Sequence, residues 1–542
     1  MHSNTFDRNS LRQSTLSRRG FIAALAASTT LAFSSKAIAE DDENEASITA
    51  QEPFSFEILT DQMRALAKQD YVKPAQLGEP FSELNYDDYR KIQFNPQRAR
   101  WNDKDSQFQL HGFHPGWLYR ETVALYEVNE GAARPISFSA DDFKYYEGMK
   151  TKIDPHMQLP GIAGFRINNP LNRLDKFDEL MAFVGASYFR ALGRGNAYGM
   201  SARGLSIDTG LSTGEEFPRF TGFWVERPAP NSGVITLYAA LDSPSVTGAY
   251  KFVVDPGEDT VMDVECKLFF REDVKQLGIA PLTSMFLYSH VNRSDFDDYR
   301  PQVHDSDGLL IERKNGDKAW RALSNPKRLS LSYFSEHNLK AFGLYQRARE
   351  FDDFQDVGAR YHERPSVRVE LIGDWPIGSV RLLEIPADIE ADDNIGAFWS
   401  PDKSPKAGDE LTFAYRLHWG GLPPKSTSEL AFVDATRSGV GGFSGVSDPD
   451  TNVRKFVIDF AGGSIASLPY DPDKELPIKP IVTSSAGEIK NVVLFKVSGK
   501  DLWRLVFDLD SKSELLLELT AHIAGYDSKL SEVWHFQWTR DQ

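Results

Sequence analysis

Cys266 is the only cysteine in the 542-residue chain, so no disulfide can form within it. A lone thiol also excludes cysteine-rich zinc and iron–sulfur sites. Long apolar runs are missing as well. The longest, Phe21 to Phe33, has 13 residues, short of the roughly 20 that a membrane-spanning helix needs. Positive charge is scarce. Lys and Arg number 61 against 78 Asp and Glu, for a formal net charge of −17. Such a chain repels phosphate backbones, which argues against nucleic acid as a partner.

The short apolar run belongs to an export signal. Ser17-Arg18-Arg19-Gly20-Phe21-Ile22 is a twin-arginine core, and Lys36-Ala37-Ile38-Ala39 ends in a small-x-small cleavage site. Residues 1–39 therefore read as a twin-arginine signal peptide, removed in the mature protein, and they predict a periplasmic location with no membrane anchor. The leader holds five basic residues and one acid, so its removal lowers the net charge of −17 by four. The mature chain is long enough to bury a core without disulfides, and its length predicts two or three domains.

Residues 40–52 are acidic and polar, and are expected to form a flexible mature N-terminus. Ile58, Leu59, Met63, Leu66 and Ala67 recur at helical spacing, which predicts a short helix over 58–68. Most of the remainder reads as strands. Tyr250 to Phe270 is a hairpin about a Pro-Gly turn. Val367 to Leu371 and Gly378 to Ile385 are two more strands, and short alternating runs recur from Lys455 to Trp538. Ser400-Pro-Asp-Lys-Ser-Pro-Lys-Ala-Gly-Asp409 has linker composition. An all-β chain is expected, with a large domain at 53–402 and a smaller one at 410–542.

Familiar catalytic motifs are missing too. Gly199-Met-Ser201-Ala-Arg-Gly204 has one residue too many for a nucleophile elbow, so Ser201 reads as a turn residue. His111 and His114 lack a carboxylate at a ligand spacing and read as core or surface residues, with no metal called. The carboxylates are more informative. His304-Asp305-Ser306-Asp307 lies in a turn-forming stretch, and Asp392-Asp393-Asn394 precedes the apolar Ile395 to Trp399. Two carboxyls beside aromatic rings suit glycoside hydrolysis: one acid protonates the leaving oxygen and the other activates water. Asp-Ser-Asp-Gly is equally an ordinary turn, and Asp307 reads as a turn acid bonded to backbone amides. Trp224, Trp375 and Trp399 suit a core as well as a sugar platform.

Many blocks occur in one order: Gly161-Ile-Ala-Gly-Phe-Arg166, Gly185-Ala-Ser-Tyr-Phe-Arg190, Ser201-Ala-Arg-Gly-Leu205, Thr247 to Phe252, Gln276 to Pro281, Pro301 to Asp307, Arg364-Pro-Ser366 and Asp393-Asn394. Together they resemble the glucans biosynthesis proteins G and D of osmoregulated periplasmic glucan synthesis, over nearly the whole mature chain. The twin-arginine leader points to the D branch. The resemblance implies a large galactose-mutarotase-like β-sandwich followed by an immunoglobulin-like β-sandwich. It further implies inverting hydrolysis of a β-1,2-glucan backbone, without cofactor. On it Asp393 is the general acid and Asp305 the general base, while Glu390, Tyr361, Arg364 and Trp399 face the substrate. The alternative is a non-catalytic glucan-binding protein that organises the nascent chain beside the membrane glucan synthase. Release of reducing ends separates the two.

Overall fold

The computed structural model describes residues 51–149, 152–424, 428–442, 452–471 and 473–540. The leader, its cleavage site and residues 40–50 lie outside the described residues. Glu52–Pro53 pairs as a strand with Ala132–Pro135, so the segment expected to be flexible up to 52 is already sheet at its end.

The predicted helix forms at Phe56–Leu66. Ser55 caps it, its side chain accepting from the Ile58 N–H at 3.2 Å. Phe56, Leu59 and Met63 are buried, and Thr247 Oγ1 donates to the Met63 carbonyl at 2.7 Å. The helix thereby seals an outer face of the neighbouring sheet.

Two sheets dominate the described residues, one of sixteen strands and one of ten. In the larger, the predicted hairpin appears as Val246–Asp255 and Thr260–Phe270, antiparallel from Val246↔Phe270 to Asp255↔Val261. Alternate residues of Thr260–Phe270 are buried, as the period of two requires. The ten-stranded sheet runs from Ser330–Glu336 through Gly378–Glu384, Ile395–Pro401 and Leu277–Ser284 to Gln109–Phe113 at the far edge. Between the sheets, Phe183 of the smaller packs edge-on against Phe223 and Phe252 of the larger, with centroids 5.1 and 5.4 Å away. Each such buried ring contributes about 1.5–3 kcal/mol, and Phe183→Ala is expected to cost about 3–5 kcal/mol.

A second, smaller sandwich follows. Phe432–Val440, Val453–Ala461, Leu502–Asp510 and Glu488–Lys496 form a four-stranded sheet. It faces Ile478–Ser484, Leu516–Gly525 and Val533–Thr539 across a core in which Phe456 stands 5.9 Å from Trp534 and 5.6 Å from Phe536. Val533–Thr539 also pairs in parallel with Lys318–Ala322, so one face of this sandwich continues the sixteen-stranded sheet.

The boundary expected at 402/410 is corrected. Glu410–Gly420 pairs along its length with Thr260–Phe270 and with Ser366–Ile372, deep inside the large sheet. The Pro- and Lys-rich stretch before it is a crossover from the ten-stranded sheet, where Ile395–Pro401 lies, into the larger one. The chain changes sandwich only after Gly420.

Candidate active site

Asp305 is placed by a very short strand. Val303–His304 pairs with Phe286–Tyr288, and the Asp305 N–H donates to the Met285 carbonyl at 2.8 Å. His304 is fully buried, its ring stacked 5.3 Å from Phe286 and edge-on to Phe354. Burial lowers its pKa to about 3, so the ring is neutral and anchors the loop through packing. The Asp307 carboxylate accepts the N–H groups of Arg347 at 3.0 Å and Ala348 at 3.2 Å. It is the turn acid expected, with burial pushing its carboxyl up to about 6.

Asp393 is held near the same place by its neighbour. Asn394 Oδ1 accepts the Phe286 N–H at 2.8 Å, and its Nδ2 donates to the carbonyls of Phe286 at 2.9 Å and Ile385 at 3.0 Å. A buried amide satisfied on both ends in this way fixes the start of Ile395–Pro401. The dipeptide Met285–Phe286 is thus gripped by Asp305 through one residue and by Asn394 through the other. Asp305 and the residue after Asp393 thus anchor on one short segment despite their distance in sequence. Asp392 precedes Asp393 in the chain; burial, and then the charge of Asp388, raise its pKa.

The remaining acids and bases form a connected network. Arg364 pairs through Nη1 with Asp305, and its Cζ lies 4.1 Å over the Tyr361 ring. Tyr361 Oη donates to Glu390 at 2.5 Å; burial first, and then that bond, push the phenol well above its usual value. Arg300 Nη1 donates to Glu390 at 2.9 Å and to Asp356 at 2.8 Å, while Asp298 takes the other side of the guanidinium. Tyr361 and Arg364 come from one short 3₁₀ turn, Tyr361–Glu363, and the residue after it. Asp305, Arg364, Tyr361 and Glu390 are therefore linked by direct contacts.

Trp399 does not join them, a correction to its expected substrate contact. It is 1% exposed and stands edge-on to Trp375 at 4.9 Å and to Phe413 at 5.8 Å. It lies on an inward position of Ile395–Pro401, so it fills the core between the sheets. Trp224 stacks between Phe54 and Tyr126 under the N-terminal helix. Ser201 opens the strand Ser201–Arg203 and is not a turn residue. His111 stacks on Phe94 at 4.6 Å, and His114 Nε2 lies 3.1 Å from Tyr145 Oη, so both are core histidines.

Sequence reasoning missed two residues. Arg300 joins Glu390 to Asp356, and its only signal was its position just ahead of the Pro301–Asp307 block. Asn394 was visible in the Asp-Asn pair, but its role as the clamp on Phe286 was not.

The class of protein these features define is a two-sandwich all-β protein with a loop-borne cluster of carboxylates, arginines and a tyrosine. The comparisons place it in a family. Residues 54–538 match the model of the periplasmic glucan biosynthesis protein family MdoG. A relative in Cereibacter sphaeroides called glucans biosynthesis protein G is 52% identical over 91% of this chain and 90% of its own. Relatives of the same name in Rhodopseudomonas palustris and Bradyrhizobium diazoefficiens are 44% and 42% identical, over 88% and 90% of this chain and 91% and 93% of theirs. The chain belongs to the periplasmic glucan biosynthesis protein family. A solved polysaccharide lyase aligns over 70% of this chain and 44% of its own at 9% identity, with a TM-score of 0.18 that is too low to establish a shared fold.

Proposed function

We propose that this protein hydrolyses the β-1,2-linked glucose backbone of periplasmic glucans with inversion. Asp393 protonates the leaving oxygen and Asp305 accepts the proton of the attacking water. The observation that carries this reading is the shared anchorage of Asp305 and Asn394 on Met285–Phe286. An inverting hydrolase needs two carboxyls about 6.5–9.5 Å apart, with room for water between base and sugar. Two acids on loops that flank one dipeptide suit that requirement. Arg364 supplies Asp305 with a counter-charge, and Glu390 and Tyr361 extend the polar surface on the same side. The raised Asp392 offers a second proton donor beside Asp393.

The family name and the Ser-Arg-Arg-x-Phe-Ile leader together support work in the periplasm after twin-arginine export. The leader is also what favours the D branch, whereas the matched relatives bear the G name. The immunoglobulin-like smaller domain and any contact with the membrane synthase belong to the same reading.

The test is reducing-end release from linear β-1,2-glucan by the purified mature protein. Release is expected from the wild type, with inverted anomeric configuration in the first product. Asp393→Asn should lose about 100-fold or more of that rate and still bind glucan. Binding without any release by the wild type would replace this reading with that of a non-catalytic glucan-binding protein beside the synthase. Release with normal rate in both Asp393→Asn and Asp305→Asn would move the chemistry elsewhere.

A further inference from the structure

The Ser201–Leu205 block, which carries part of the family resemblance, takes no part in the network around Asp305. It lines a different feature. Beside the ten-stranded sheet a cavity of about 20 Å³ is lined in part by Asp393. Arg203, Ser206, Thr209, Thr283 and Tyr188 are among its walls. Arg203 Nη2 donates to Glu215 Oε1 at 2.7 Å, and Thr209 Oγ1 donates to the same oxygen at 2.8 Å. The guanidinium carbon sits 5.2 Å from the ring centres of both Tyr188 and Phe217. An ion pair and two rings thus fix this side chain in place.

Two polar atoms of these lining residues are nonetheless unused. Arg203 Nε and Ser206 Oγ have no hydrogen-bond partner among the described residues, although the two residues are only 4% and 1% exposed. Buried donors are ordinarily paired, so a partner from outside the chain is called for. A cavity of this size holds one water or one hydroxyl group. Glu215 already balances the guanidinium charge, so the partner is neutral and not an anion. A sugar hydroxyl meets every condition: it accepts from Nε, exchanges a proton with Oγ, and adds no charge.

We propose that Arg203 and Ser206 form a hydroxyl-binding subsite for the glucose unit beside Asp393, so that the glucan replaces a resident water there. The proposal rests on the glucan reading above, but not on hydrolysis. Two arms test it, both on the Asp393→Asn background so that no turnover intervenes. The first is calorimetric binding of linear β-1,2-gluco-oligosaccharides. Adding Ser206→Ala should weaken binding about 3- to 10-fold, and Arg203→Lys about 10-fold or more. Ser206→Ala removes one oxygen and adds no volume, so it is expected to fold. The second arm is a glucan-bound structure, in which a sugar oxygen should lie within hydrogen-bond reach of Arg203 Nε. Unchanged affinity in Ser206→Ala, or a water still in the cavity with the sugar bound elsewhere, overturns the subsite. Weakened binding alongside a wild type that releases no reducing ends overturns only the hydrolase reading. Absence of any glucan binding overturns both.

Discussion

The Tyr361 hydroxyl donates to Glu390 at 2.5 Å, and this bond joins two segments that the chain keeps 29 positions apart. On one side Tyr361 lies beneath Arg364, the partner of Asp305. On the other, Glu390 sits three residues before Asp393. The bond is therefore a strut between the loop that carries Asp393 and the turn that holds Arg364, the partner of Asp305.

Removing that strut has a defined expected effect. Tyr361→Phe keeps the ring under Arg364 and deletes only the donor. Stability should fall by about 1 kcal/mol, the net worth of an ordinary hydrogen bond, read as a small drop in Tm. Glucan cleavage should fall more than stability does, because Glu390 is left to Arg300 alone. Unchanged cleavage with lowered Tm would show that the strut is only structural.

Trp399 should behave as a core residue and not as a sugar platform. Trp399→Ala is expected to cost about 3–5 kcal/mol, measured by urea unfolding. Trp399→Phe should keep glucan affinity within about twofold, since about 0.4 kcal/mol or less is at stake for a group that touches no ligand. A large loss of affinity in a well-folded Trp399→Phe would contradict the core assignment.

The junction between the sandwiches gives a third prediction. Arg347 pairs with both carboxylate oxygens of Glu532, at 2.9 and 3.0 Å, and both side chains are nearly fully buried. Glu532 also accepts the Val433 N–H at 3.0 Å, and the guanidinium lies 3.6 Å over the Trp320 ring. Glu532→Gln leaves a buried cation short of its partner, and breaking a buried pair costs about 3–5 kcal/mol. Denaturation should shift to lower urea, with a change in Trp320 emission. Because the Arg347 N–H also holds Asp307, glucan cleavage should fall with it.

The acid limb of stability should come from buried histidines. Burial lowers His304 to about 3, and His111, His114 and His535 to about 4, from a usual 6.5. Between those values the unfolded chain binds more protons than the folded one, so stability is full above pH 6.5 and is lost as pH falls below it. Asp307, raised to about 6, works in the opposite sense over the range down to its usual 3.8. The histidine share of the Tm drop from pH 7 to pH 5 is read by substituting one of these histidines. In His304→Phe, which keeps the stack on Phe286, that drop should be smaller. An equal drop in wild type and variant would mean that His304 is charged when folded.

Local signals were legible because they are local. The period of two across Tyr250–Phe270 and the helical spacing after Ser55 each reflect one element's own buried face. Sheet membership was not legible. Val367–Leu371 and Gly378–Ile385 follow each other directly, yet they lie in different sheets. The Pro-rich stretch at 400–409 looks the same whether it links two domains or two sheets of one domain, since both need a polar turn-forming path. At the site, Arg364, Tyr361 and Glu390 entered only through the family resemblance, and their direct contacts with one another and with Asp305 come from distant segments that no local pattern joins. Trp399 misled because a large ring serves a core and a sugar equally, and only its inward position on the strand decides. The Arg203–Ser206 cavity left no trace in spacing; it arises from how the 208–217 loop covers the sheet.

The parallel pairing of Lys318–Ala322 with Val533–Thr539 bears on how the protein is made. A ribosome delivers the first of these strands long before the second. Until residues 533–539 emerge, Trp320 and Arg321 have an open sheet edge where Trp534 and His535 will later sit. The large sandwich therefore cannot finish on its own while the smaller one is still being synthesised, and the exposed edge is a standing invitation to mispairing. Among the described residues, completion of the large sheet therefore waits on Val533–Thr539, a strand the ribosome delivers more than 200 positions after its partner.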